Sequence, residues 1–159
     1  MAGRFPAARL VVAGKPNESF EPYRRQLDQL GLGERATLDL GFLPEARLAA
    51  YLCAADVVAL PYWAVTSSGV LMAARRFGCA VVATDVGDLS ELIVDGESGL
   101  LVPPASPPAL AHAIERLLLD PPLAARLGEA GQRIAFGAHG DEEVARRTLA
   151  LYWRVMGDG

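Results

Sequence analysis

Lysine is almost missing from this sequence: of 15 basic residues only Lys15 is lysine, a bias that reads as gene base composition. With 19 acidic residues the net charge is −4 and the pI about 5.2, so nothing resembles a basic footprint for nucleic acid. Cysteine is scarce too. Cys53 and Cys79 make neither a disulfide framework nor a metal cluster and suit a reducing compartment. No apolar run approaches the roughly 18 residues a membrane span needs, and MAGRFPAARLVVAG is too short for a signal core. Gly-x-Gly-x-x-Gly, a Walker loop and Asp-x-Asp are all absent, so no cofactor and no metal are expected. What remains is ordinary globular material, 52% hydrophobic and 21% charged over 159 residues. Those figures predict one cytoplasmic domain spanning residues 1–159.

Apolar runs alternate with helical spacing along the chain. Arg9–Gly14, Ala36–Phe42, Asp56–Tyr62, Cys79–Thr84 and Gly99–Val102 read as strands. Helices are predicted over Phe20–Leu30, from Pro44 to Ala54, and over Ser68–Phe77, with one helical turn within Asp88–Val94. Ser106 and Asp120, each followed by two prolines, start further helices to about Leu119 and to Glu129–Gly131. Asp141–Glu143 open a last one, so residues 106–157 form a helical segment. Strands alternating with helices predict an α/β fold with a parallel, doubly wound, Rossmann-like sheet, whose ligands bind beyond the carboxyl ends of the strands.

The most informative stretch is LPYWAVTSSGVLMAARRFGCAVVAT, residues 60–84. Thr66-Ser67-Ser68-Gly69 leads into a helix whose first amides lack partners and whose dipole adds roughly half a positive charge. Such a start can hold a phosphate, and Gly69 lets it approach the backbone; equally, Ser68 can simply cap the helix.

This stretch follows GFLPEARLAAYLCAADVVALPY and precedes DVGDLSELIVDGESGLLVPP. Together, from Arg9 to about Arg133, they resemble the C-terminal domain of the retaining, GT-B fold glycosyltransferases of family 4 (glycosyl transferases group 1). The landmarks are Ala54-Ala55-Asp56, Leu60-Pro61-Tyr62, Gly78 before AVVAT, and Gly87 to Glu91 before DGESGLLVPP. The resemblance implies binding of a nucleotide sugar, with UDP or GDP as its nucleotide, and a separate N-terminal domain for the acceptor. Carried over by position, Gly41, Phe42 and Leu43 would approach the nucleobase, with Gly14 and Lys15 nearby. Ser67–Val70 would hold the diphosphate beside Thr66, and Glu91 lies at the same sheet edge.

The sequence departs from that family in two places. Most members carry two glutamates eight positions apart at what are here Val65 and Ala73; the Thr-x-Ser-Gly-Val form resembles a subgroup that replaces them. The family's domain also opens with a further strand and helix bearing an Arg and a Lys for the donor phosphates, which nothing before Arg9 supplies. In the family's order the missing strand is central, between Arg9–Gly14 and Asp56–Tyr62. Those strands must pair directly, recruit a strand from another chain, or leave backbone unpaired, so a homodimer is expected.

Other candidates read as structural. Asp85, Asp88 and Asp95-Gly96-Glu97 are loop acids, Glu91 a helix-start acid, and His112 and His139 exposed or structural. Cys79 reads as a small buried hydrophobe, and Arg75-Arg76 as a solvated helix face or, for one of them, a phosphate contact. Trp63 could cover a base or sugar or pack on a neighbouring domain. The resulting expectation is the donor-binding part of a hexose transferase, or else a non-catalytic module of the same fold.

Overall fold

Five short parallel strands and seven α-helices alternate in the computed structural model, which describes residues 4–137 and 141–157. His139 lies outside the described residues. The chain divides into two compact units, residues 1–51 and 52–159.

In the first unit β1 (Leu10–Gly14) and β2 (Ala36–Leu40) pair in parallel from Leu10↔Ala36 to Gly14↔Leu40. They are joined through α1 (Glu21–Gln29) and a 3-10 turn at Gly33–Arg35. α2 begins at Glu45, directly after Pro44, and runs to Ala54. A parallel pair is normally covered on both faces. Here Leu10 and Val11 remain 48% and 43% exposed, and no described residue before Leu52 is buried.

The second unit holds the core. β3 (Val58–Leu60), β4 (Val81–Thr84) and β5 (Leu100–Val102) form a parallel sheet in the order β3-β4-β5. All four residues of β4 are buried, as a central strand of a covered sheet requires. Val82, Leu100 and Val102 pack with Leu117 of α5 (Pro107–Leu119) and Leu123 and Leu127 of α6 (Pro121–Phe136). Between the strands lie α3 (Gly69–Arg76) and the single turn α4 (Leu89–Leu92); α7 spans Asp141–Gly157. Among the described residues no helix is long and apolar enough to cross a membrane.

Several sequence expectations are corrected. The strands are shorter than expected, and β3 keeps only Val58–Leu60 of Asp56–Tyr62. α6 does not stop near Gly131 but continues to Phe136. Its glycines are packing positions, not stops, since a Cβ on Gly128 would stand 2.0 Å from the Gly78 carbonyl oxygen. Ser106 precedes α5 without a side-chain cap, whereas Asp120 accepts from the Leu123 amide at 3.0 Å. Arg75 is not solvated; it is fully buried. Cys79 is buried, and its thiol donates to the Leu52 carbonyl at 3.3 Å.

Candidate functional site

The start of α3 is the best-built feature among the expected site residues. Ser68 has extended backbone and is 5% exposed, and its Oγ accepts from the Leu71 amide at 3.1 Å. This is the capping geometry its sequence position predicts. With Leu71 served by Ser68 Oγ and Met72 by the Ser68 carbonyl, the Gly69 and Val70 amides have no protein acceptor among the described residues. A Cβ on Gly69 would meet nothing within 4 Å, so the approach to those amides is open. Thr66 and Ser67 are exposed on the same turn. Two free N–H groups, two hydroxyls and the positive end of the helix dipole can hold an anion.

The loop entering this helix is fixed from below by Tyr62, Thr84 and Gly87, which the sequence marks only as strand ends and landmarks. Tyr62 Oη lies 3.3 Å from Ser68 Oγ, and Thr84, at the end of β4, donates through Oγ1 to the Tyr62 carbonyl at 2.7 Å. Gly87, with φ +53°, sits where a Cβ would fall 1.7 Å from the Val65 carbonyl oxygen. The loops after β3 and after β4 are thereby locked together at the carboxyl edge of the sheet. Val65 and Ala73 are half-buried and bring no charge to the loop. Glu91 is an exposed residue of α4, Trp63 is 79% exposed, and His112 is exposed on α5. The Asp95 carboxylate accepts from the Leu101 amide at 2.8 Å, a turn-holding role.

The other expected residues belong to the first unit. The Gly41 amide donates to the Gly14 carbonyl at 3.1 Å, which joins the turns that end β1 and β2. Both glycines have positive φ, +129° and +150°, and open space beside them. Lys15 is exposed, Phe42 is 87% exposed and Leu43 half-buried. Just before these turns Asp39 accepts from the Tyr51 hydroxyl at 2.8 Å and pairs with Arg47 at 3.1 Å. The Tyr51 bond, aided by Arg47, holds the Asp39 carboxyl below its usual range, and the same bond to Asp39 raises the Tyr51 phenol against the opposing charge of Arg47. Arg47 and Tyr51 stand four apart on α2, a spacing that puts both on one face. An open depression of about 400 Å³ lined by Val94, Glu97, Ser98, Ala130, Arg133 and Ile134 contains none of the expected residues.

A parallel α/β fold that leaves a capped, open helix start beyond its strand ends has the place where such sheets take ligands. The profile of the family "Glycosyl transferases group 1" matches residues 2–120, and the chain belongs to that family. D-inositol 3-phosphate glycosyltransferase of Corynebacterium glutamicum is 36% identical over 124 residues, 76% of this chain and 29% of that protein. The chain thus spans under a third of that curated relative's length. Sucrose-phosphate synthase from Thermosynechococcus elongatus superposes with a TM-score of 0.80 at 32% identity, covering 94% of this chain and 38% of its own. Anabaena Alr3699/HepE, solved with UDP and glucose, gives 0.77 at 26% identity, covering 91% and 41%. The C-terminal domain of a group 1 glycosyl transferase (LpcC) from Francisella tularensis gives 0.75 at 23% identity, covering 90% of this chain and 74% of that one. The fold is that of a GT-B C-terminal domain, as the resemblance implied.

Proposed function

We propose that this chain is the donor-binding part of a retaining glycosyltransferase that takes a hexose from a nucleoside diphosphate sugar. The carrying observation is the start of α3, where Ser68 is consumed as cap and the Gly69 and Val70 amides are left open. In this reading Ser67–Val70 take the diphosphate and, with Thr66, stabilise its departure, so that catalysis is positioning plus charge stabilisation. Gly41, Phe42 and Leu43 are assigned to the nucleobase, with Gly14 and Lys15 beside it; Glu91 stays a candidate at the edge of the second unit's sheet. That the related Anabaena Alr3699/HepE was solved with UDP and glucose supports a sugar nucleotide as ligand. The acceptor would be held by a further, N-terminal domain, and the isolated chain is expected to transfer nothing.

Val65 and Ala73 favour a second reading, a module that binds but does not turn over. Without a carboxylate at those positions the sugar nucleotide loses hydrogen bonds worth roughly 1.5–3 kcal/mol, about 10–100-fold in affinity. Self-association belongs to the same proposal, because β1 and β3 each have a single strand partner among the described residues. Calorimetric titration with UDP, GDP and their hexose conjugates tests the reading. Saturable binding weaker than micromolar is expected; no heat with any of them up to millimolar concentration would refute it. Turnover of a sugar nucleotide by the purified chain would refute both the expected inactivity and the module reading.

A further inference from the structure

Among the described residues Arg75 is the one fully buried charged side chain. It lies on α3 with 0% exposure, and α6 closes over it: a Cβ on Gly131 would stand 3.3 Å from its Cγ. Its Nη2 donates to the Leu92 carbonyl at the end of α4, while Nε and Nη1 are buried without any partner. Among the described residues no carboxylate pairs with it. Burial alone depresses its pKa, with no acid opposing the shift. A guanidinium keeps its proton even so, and an uncompensated buried charge projects its field through the protein with little screening by salt.

The direction of that field matters because of where the helix points. Arg75 lies six residues after Gly69 on α3, about 9 Å along the helix axis. The open amides of Gly69 and Val70 are therefore at the other end of the same short helix. We propose that Arg75 acts as a buried electrostatic residue for the anion site at the start of α3, so that the ligand's phosphates are its long-range counter-charge. It touches no ligand. Its charge adds to the helix dipole where Val65 and Ala73 contribute none. This rests on the reading of Ser67–Val70 as the diphosphate site.

At an effective dielectric of about 40 over about 12 Å, one buried charge changes affinity about threefold per unit of ligand charge. The test compares uridine, UMP and UDP on the whole chain by amide-shift titration, with R75Q beside the wild type. R75Q keeps a donor for Leu92 and loses the charge. Should R75Q fail to fold, R75M removes the two unpaired buried nitrogens and carries the same comparison. The expected result is a stepwise loss: uridine unchanged, UMP weakened by up to about tenfold and UDP by up to about thirtyfold. An equal effect on all three ligands, or none, overturns the inference while leaving the diphosphate site standing. UDP binding that bypasses Ser67–Val70 in the wild type overturns both.

Discussion

The carbonyl oxygen of Val65 occupies the place a side chain at Gly87 would need, only 1.7 Å from where its Cβ would be. This approach sets the loop before α3 directly on the loop after β4, and it requires the left-handed φ of +53° at Gly87. G87A therefore combines strain with displacement of the Val65 loop, a cost of about 2–4 kcal/mol. Urea unfolding of the variant should show that loss. A change under about 0.5 kcal/mol would mean the loops are not interlocked.

Ser68 caps α3 with its hydroxyl buried against Leu71 and Tyr62. S68A is expected to cost about 1 kcal/mol in the same assay, and S68N to recover part of it. Stability unchanged in S68A would show that the cap contributes nothing.

The Asp39 carboxyl is held low chiefly by the Tyr51 hydroxyl and also by Arg47. A carboxyl whose pKa falls on folding stabilises above its unfolded pKa, and that stability is lost as pH drops through the folded value. The native chain should therefore lose more stability than D39N between about pH 5 and pH 2, and Y51F should remove most of the difference. Parallel curves for native and D39N proteins would deny the linkage.

Much of this architecture is legible in the residue pattern. Pro44, Pro107 and Pro121 mark helix starts because a ring with fixed φ and no N–H suits only the first turn. Ser68 and Asp120 are legible as caps for the same local reason. Gly131 reads as a helix end because a helix-ending glycine and one that admits a neighbouring element look alike in one dimension. Arg75 stands four residues after the buried Leu71, so its spacing placed it on the inner face, but adjacent arginines suggested solvent. The Thr84–Tyr62 bond spans 22 positions, a separation no local pattern encodes.

The strand edges carry the oligomer prediction. Among the described residues β1 pairs only with β2 and β3 only with β4, and Leu10 and Val11 of β1 are exposed. Open apolar strands favour association. Sedimentation at micromolar concentration should show a dimer or larger species. A single species of 16.9 kDa with β1 and β3 amides protected from exchange would contradict it.

The central claim is that a nucleoside diphosphate seats on the open amides at the start of α3. Its most direct test is a titration of the ¹⁵N-labelled chain with UDP and GDP, followed amide by amide. Saturable shifts are predicted at Ser67, Ser68, Gly69 and Val70, accompanied by shifts at Gly41, Phe42 and Leu43. Shifts confined to residues 106–157, or no shifts at millimolar nucleotide, would contradict the account.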